Sequence, residues 1–414
     1  MEHWSGIGKI QWRHIGGGPD CPWANNSLRL SPRQRSVTMK INKPRHPIAV
    51  IGSGIAGLAA ANTLRDMQVP CVLVERFGRP GGRMNTRPGD GWTADHGTRY
   101  IRRSDQTLAA LIRSIGYEQR RVSVQGGVHR LLANGTIEVP PHGGLDLDRM
   151  CLDLGFNVLT AGLAHGIPAI FDAAVAAIRW DNSANAFWWE EGQVFWFEDD
   201  KGEPIRDRTT REVLKASGVI LATTGTAAHA IAENSPALHD LVPALSAVKY
   251  DSCYAAIFKI PRQQPPFYAL EGAPGARIAW LAFEDAKAPE RAAPEYSVVV
   301  VQASAAWSAE LMAKSDAEAM EAVYTEARAV LSFLPESPIS QTYKRWNVSQ
   351  LVSAPIGLPD RWPVNPESAP FSLAGDYVLG PRAEDAARSG VVAARQVVAQ
   401  LPARRSFLGL ELGA

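Results

Sequence analysis

Pro47-Ile48-Ala49-Val50-Ile51 is a short apolar run rich in β-branched residues, and it leads straight into Gly52-Ser53-Gly54-Ile55-Ala56-Gly57. Leu58-Ala59-Ala60-Ala61-Asn62-Thr63-Leu64 then reads as a helix, and Cys71-Val72-Leu73-Val74 as a second strand ending in Glu75. A G-x-G-x-x-G turn with a strand before it, a helix after it and an acid about 20 residues on predicts a β-α-β unit that cradles a dinucleotide. Gly52 permits the tight turn. Gly54 removes a side chain where a pyrophosphate must approach the backbone, and Gly57 lets the helix pack on the strand. Ser53, Ile55 and Ala56 complete the turn, where the unpaired N–H groups and positive dipole end of the helix face phosphate. Glu75 is placed to accept from ribose hydroxyls. The unit alone does not separate NAD from FAD, and a nucleotide-free doubly wound fold that kept its turn is the plain alternative.

Composition narrows the setting. With 414 residues the chain has room for two or three domains. Hydrophobic residues at 46% and charged residues at 21% are globular proportions and exclude a disordered or coiled-coil chain. Lys and Arg total 43 against 42 Asp and Glu, so no general pull toward nucleic acid or anionic lipid is implied. Cys21, Cys71, Cys151 and Cys253 are far apart and form no C-x-x-C pair, which argues against a disulfide scaffold or a zinc site. No run is long and apolar enough for a membrane span; residues 216–232 read as a buried strand, a turn and a helix start. The expected setting is the cytoplasm. Residues 1–45 lack the pattern of a signal peptide and read as a flexible extension, with Met39 as a candidate start of translation.

A second glycine pair follows the acid in Arg76-Phe77-Gly78-Arg79-Pro80-Gly81-Gly82-Arg83-Met84-Asn85-Thr86. It suits a ligand longer than NAD: Gly81-Gly82 lets backbone run close to it, and Arg83 offers a fork of donors to a pyrophosphate. Asp95-His96-Gly97-Thr98-Arg99-Tyr100 comes next. Far downstream, Phe371-Ser372-Leu373-Ala374-Gly375-Asp376 reads as a strand ending in glycine and acid, followed by helix from about Ala383 to Gln400. Asp376 there suits ribityl hydroxyls, and the helix start suits a flavin pyrimidine ring.

These segments together resemble the FAD-dependent amine-oxidase superfamily, and within it the renalase-like branch. The resemblance rests on Glu75-Arg76, Gly81-Gly82-Arg83 and Thr86, on Asp95 through Tyr100, and on Gly375-Asp376 with Arg382-Ala383-Glu384-Asp385-Ala386-Ala387-Arg388-Ser389-Gly390. It covers about residues 46–401 and is weak in the middle, where Tyr250 through Ala255 and Lys344-Arg345-Trp346 look familiar. It implies an α/β fold: a Rossmann-type FAD-binding domain with an inserted α+β substrate domain on a mostly antiparallel sheet. It implies non-covalent FAD held by Gly52, Ser53, Gly54, Ile55, Ala56, Gly57, Glu75, Arg76, Gly82, Arg83, Thr98, Val175, Thr223, Gly375, Asp376 and Ala386. Thr98-Arg99 departs from the branch's small-residue-plus-glutamine pair, and Asp385 stands at a usual glycine, where it either faces the flavin or caps the helix. The usual glycine-proline-glycine-methionine stretch is not recognisable near Pro140-Pro141-His142-Gly143-Gly144.

The middle of the chain reads as strands over Ala173 to Trp180, Ala186 to Glu190 and Gln193 to Glu198, then a buried strand Gly218 to Gly225. Further strands are expected at Ser252 to Ile260, Arg277 to Phe283 and Ser297 to Ala303, with a helix from Ala317 to Ser332. The expected division is an extension (1–45), three FAD-binding segments (46–135, 173–245 and 348–401), a connecting segment (136–172), a substrate domain (246–347) and a tail (402–414).

Catalysis is expected to reside in the flavin, with no acid or base assigned. Arg99, Tyr100, Tyr254 and Trp346 are the substrate-pocket candidates. Arg99 reads as an anchor for an anionic group or as a plain salt bridge, and the aromatics as pocket walls or as core. His96 reads as structural more readily than as a base, and Cys253 as a small apolar core residue. Trp188, Trp189 and Trp196 read as hairpin packing. No H-E-x-x-H or G-x-S-x-G element is present, so zinc and serine hydrolases are excluded. The expected activity is oxidation of a small amine or a dihydropyridine-type substrate, with dioxygen as acceptor and no metal or nucleic acid. A desaturase-type enzyme with another acceptor and a non-enzymatic flavoprotein are the rivals.

Overall fold

The computed structural model describes residues 44, 46–124, 126–181 and 194–401. The extension around Met39, the strand at 186–190 with Trp188 and Trp189, and the tail at 402–414 lie outside the described residues.

Strand Ile48–Ile51 leads a five-stranded parallel sheet in the order Ala169–Ile170, Cys71–Val74, Ile48–Ile51, Gly218–Leu221, Phe371–Leu373. Every residue of its three inner strands is buried, as expected of a parallel sheet covered on both faces. Helix Ile55–Asp66 packs on helix Ala383–Gln400 at backbone contact: a Cβ on Gly390 would fall 2.0 Å from the Ala56 carbonyl oxygen. The approach of these two helices therefore depends on a missing side chain. It brings the start of helix Ile55–Asp66 beside helix Ala383–Gln400, which the sequence separates by more than 300 residues.

A second sheet has seven strands, in the order Ser340–Leu351, Tyr250–Pro261, Tyr296–Ala303, Ile278–Phe283, Ala269–Gly272, Val128–Leu131, Ile137–Glu138. All its pairings are antiparallel except Ala269–Gly272 with Val128–Leu131. Side chains alternate across it. Tyr254, Phe258, Leu281, Phe283, Val299 and Val301 form one core with Trp307, Leu311 and Val323 from helices Ala305–Met312 and Asp316–Val330. Ser315 caps the second helix in a reciprocal pair with Glu318. Trp280, Ala282 and Val128 point the other way and merge with the core under the glycine helix.

The expected strands are present with moved ends: Tyr250–Pro261, Ile278–Phe283 and Tyr296–Ala303, with the helix at Asp316–Val330. Strand Ala177–Asp181 begins later than expected, because Ala173 N–H donates to the Glu75 carbonyl instead (2.9 Å). Val128–Leu131, which the sequence reading put in the first FAD-binding segment, pairs with the seven-stranded sheet. No helix among the described residues is long and apolar enough to cross a membrane.

Candidate functional site

The glycine turn is built by Glu75. Its buried carboxylate accepts from Ser53 N–H and Ser53 Oγ on one oxygen (2.8 and 2.7 Å) and from Phe77 N–H on the other (3.0 Å). A carboxylate has about four acceptor positions, so one remains for a ligand hydroxyl. Gly54 has φ −69° and ψ 179°, ordinary for any residue, and a Cβ there would meet nothing within 4 Å. Nothing in the protein requires a glycine at that position. The helix behind it has no side-chain cap, so its first-turn N–H groups open onto the same space. The second glycine pair folds onto the first turn: Gly81 N–H donates to the Ser53 carbonyl (2.9 Å), and Gly82 lies against Gly54 Cα. Val175 follows the segment tied to Glu75 and packs on the apolar cluster of the parallel sheet that includes Ile51 and Val74. Arg76 does not join it; the side chain is exposed, with its guanidinium over the Phe77 ring (4.4 Å).

A junction forms at the carboxyl ends of the parallel strands. Arg83 donates to both Asp376 oxygens (2.7 and 2.8 Å) and to the Ser349 carbonyl (2.9 Å). Tyr250 Oη donates to Asp376 (2.9 Å) and accepts from Gly225 N–H (3.1 Å). Burial works to lower the Arg83 pKa, and Asp376 more than offsets it. Burial and Asp376 push the Tyr250 phenol well above its usual range. The Arg83 fork, expected to face a pyrophosphate, is thus committed to Asp376 and acts as a staple between three remote segments. Gly375 N–H donates to Ser389 Oγ (2.9 Å), which donates to the Ala386 carbonyl (2.7 Å), and Ala374 N–H bonds the Leu221 carbonyl beside Thr223 (3.0 Å). Asp385 accepts from Arg382 N–H (3.4 Å) and pairs with Arg388 (3.3 Å), so it caps the helix.

The Asp95-to-Tyr100 segment is clamped between this junction and the seven-stranded sheet. Thr98 N–H donates to the Arg83 carbonyl (3.1 Å). Gln302 Nε2 donates to the carbonyls of His96 and Gly97 (3.2 and 3.1 Å), and Trp346 Nε1 donates to that of His96 (3.1 Å). The His96 ring stacks on Trp346 (5.4 Å between centroids), and its Nδ1 has no hydrogen-bond partner among the described residues. Burial pushes the His96 pKa down to about 4. Arg99 Nε donates to Gln302 Oε1 (2.7 Å), its guanidinium lies 4.9 Å from the Trp280 ring centre, and Tyr100 is close to the same ring (6.1 Å). Strand register puts Glu271, Trp280, Gln302 and Ala255 in one row, with the Cys253–Trp346 pair in the next row of the same face, the one turned to this segment. Burial pushes the Cys253 thiol up to about 11. Tyr254 is a correction: it is fully buried on the opposite, helix-covered face, stacked on Tyr343 (5.6 Å), and walls no pocket here.

Asp95 anchors the segment from below. Its carboxylate faces Lys287 (2.8 Å) and Arg291 (2.7 Å), and both cations also pair with Glu284; all four side chains are 2% exposed or less. Burial works to raise the Asp95 pKa, but Arg291 and Lys287 hold it well below the ordinary carboxylate range. An apolar hollow of about 880 Å³ lies on the other face of the sheet, among His129, Val139, Leu145, Phe267 and Phe333, and none of the predicted site residues lines it.

Sequence reasoning missed Tyr250, Ser349, Gln302, Trp280 and the Lys287–Arg291–Glu284 cluster. Their roles come from cross-strand register and buried charge balance, for which no local motif exists.

Comparison with known proteins agrees with this geometry. Residues 50–115 match a NAD(P)-binding Rossmann-like domain, and residues 155–398 match the flavin containing amine oxidoreductase family. The chain is 32% identical over 101 residues to mitochondrial protoporphyrinogen oxidase of Nicotiana tabacum, covering 24% of this chain and 20% of that one. It is 40% identical over 76 residues to polyamine oxidase 3 of Oryza sativa subsp. japonica, covering 18% and 16%. The matched segments thus span about a fifth of these relatives or less. In fold it is similar to cyclohexylamine oxidase from Brevibacterium oxydans IH-35A, with a TM-score of 0.65 at 14% identity over 86% of this chain and 100% of that one. Since the second family match runs over more than half of the chain, the protein belongs to the flavin containing amine oxidoreductase family.

Proposed function

We propose that the protein is an oxidoreductase using non-covalently bound FAD to oxidise a small amine or a dihydropyridine-type ring. The observation that carries this is Gly54: its backbone is ordinary and its surroundings are open, so the residue makes sense as clearance for a ligand at a helix N-terminus. The residues present fit FAD. Gly52 to Gly57 with Gly82 would take the pyrophosphate, and the remaining acceptor position on Glu75 would take a ribose hydroxyl, with Val175 beside it. Asp376, held by Arg83 and Tyr250, would take ribityl hydroxyls. When bound, FAD supplies a two-electron acceptor for the hydride on the carbon next to nitrogen and passes the electrons to dioxygen, giving hydrogen peroxide.

The protein's part is positioning and exclusion of water. Gln302 and Trp346 fix the His96–Gly97 carbonyls, and Trp280, Tyr100 and Arg99 form the wall where substrate would lie. No described side chain is required to take a proton, because a substrate amine can lose its proton to water before hydride leaves. Within the family we favour the renalase-like branch, on the Asp95–Tyr100 and Arg382–Gly390 segments.

The test is a visible spectrum of the purified protein, release of the chromophore by denaturant, then anaerobic titration with amines and with reduced pyridine nucleotides. A yellow protein that gives up FAD intact and bleaches with one of these substrates is expected. A colourless protein that fails to take up FAD refutes the reading, and slow reoxidation in air would refute dioxygen as acceptor.

A further inference from the structure

We infer that Arg99, with Gln302 and Trp280, forms a carboxylate-binding subsite, so that the molecule taken at this wall carries an acidic group. This rests on the flavoenzyme reading for its role in turnover, but not for binding itself. Four other enclosed arginines face carboxylates: Arg83 has Asp376, Arg120 has Asp153, Arg149 has Asp146, and Arg291 has Asp95 and Glu284. Arg99 is half-buried and forms no ion pair with any described carboxylate. Burial lowers its pKa, more than Cys253, Glu271 and Tyr100 raise it. A desolvated cation without a counter-charge is costly, and an anionic ligand would relieve that cost.

The geometry of the guanidinium is set in advance. The two carbonyls of His96 and Gly97 both accept from Gln302, which fixes the way its amide points. Its oxygen therefore faces Arg99 and takes Nε, and the Trp280 ring lies against the guanidinium. The two terminal nitrogens have no described acceptor and are the edge that matches a carboxylate with two parallel hydrogen bonds. Glu271, opposite Trp280 in the same row, is exposed and lies beyond ion-pair distance of Arg99. An aromatic acid suits the site, since the Trp280 ring lies against the guanidinium and the Tyr100 ring is close to Trp280.

The experiment titrates benzoate and its neutral isostere benzamide into the protein as purified, following tryptophan fluorescence and, where FAD is bound, the flavin absorption bands. Wild type, Arg99→Lys and Arg99→Met are compared, with thermal unfolding as the folding control. Benzoate should bind and benzamide should be weaker by about tenfold or more, the loss of a charge-assisted pair. Arg99→Met should erase that preference, and Arg99→Lys should keep part of it, since its ammonium is only a point charge. No benzoate binding to wild type, equal binding of both ligands, or an unchanged preference in Arg99→Met would overturn the subsite. A shift of the flavin bands in Arg99→Met with unchanged benzoate affinity would also overturn it, by assigning Arg99 to the cofactor. If the protein takes up no FAD, the oxidoreductase reading fails while the fluorescence titration still decides the subsite. If amines bleach the flavin with no preference for acids, the reverse holds.

Discussion

Lys287→Met tests the buried charge cluster beneath the Asp95–Tyr100 segment. The substitution keeps an unbranched apolar stem of similar volume and removes only the ammonium. Lys287 Nζ lies 2.8 Å from Asp95 and 3.5 Å from Glu284, and no member of the cluster is more than 2% exposed. At these separations each contact is worth roughly 5 kcal/mol of gross attraction at an effective dielectric of about 20, most of it offset by desolvation. Two cations facing two carboxylates balance. Without Lys287, Arg291 alone faces both acids, and an uncompensated buried charge costs about 3–5 kcal/mol. The sign with pH follows from Asp95, whose pKa is held low in the folded state by Arg291 and Lys287 against burial. A carboxylate of this kind adds stability above its unfolded pKa, near about 4, and that stability is lost as pH falls. The deficit of Lys287→Met should therefore be full at neutral pH and should narrow as acid protonates the cluster. Urea unfolding followed by tryptophan fluorescence, near neutral pH and again at about pH 3, below the ordinary carboxylate pKa, measures both quantities. Adding Glu284→Gln restores the balance and should recover part of the loss. A loss below about 1 kcal/mol, the scale of a hydrated surface pair, or one that does not change with pH, would show that the cluster is not desolvated and that the charge-balance argument is wrong.

Three further outcomes are expected. Gly54→Ala should change the stability of the FAD-free protein by no more than about 1 kcal/mol, since its φ is ordinary and the added Cβ meets nothing, yet weaken FAD binding measured by fluorescence titration. Comparable losses in both would place the glycine in the service of the fold. His96, pushed down to about 4 by burial, is neutral when folded, so stability should fall as pH drops from about 6.5 toward 4, by up to about 3 kcal/mol. His96→Gln should flatten that part of a Tm-against-pH curve, and an unchanged slope would contradict the assignment. Tyr254→Phe removes a buried hydroxyl that has no hydrogen-bond partner among the described residues and keeps the ring stack on Tyr343, so it should leave Tm unchanged or slightly higher and the flavin spectrum untouched.

What could be read in advance divides by the range of the physics. The turn at Gly52–Gly57, the strand ends at Glu75 and Asp376, and the cap of the last helix are set by backbone geometry within a few residues, so local pattern carries them. Helix Asp316–Val330 starts one residue before its expected position, and the Ser315–Glu318 cap that fixes the start was present as a Ser-x-x-Glu signal. Val128–Leu131 is the opposite case. Val-His-Arg-Leu has no clear alternation, and its parallel neighbour Ala269–Gly272 lies far along the chain, so nothing local assigns it to the second sheet.

The site adds a stricter condition, because a strand residue belongs to it only if its parity is right. Trp346 and Tyr254 were proposed together as pocket walls, yet register pairs Trp346 with Cys253, and directly paired residues share a face. Any arrangement with Trp346 under His96 therefore sends Tyr254 into the helix-covered core, where Phe258 and Val301 also point. The same parity brings Gln302 and Trp280 to the site face through their mutual pairing. Neither has a motif, and both touch Arg99. Aromatic type was visible in the sequence but face was not, since a slip of one residue exchanges wall for core. Pairing information for a single strand, Tyr250–Pro261 against Ser340–Leu351, would have been enough to replace Tyr254 by Cys253 before any side chain was placed.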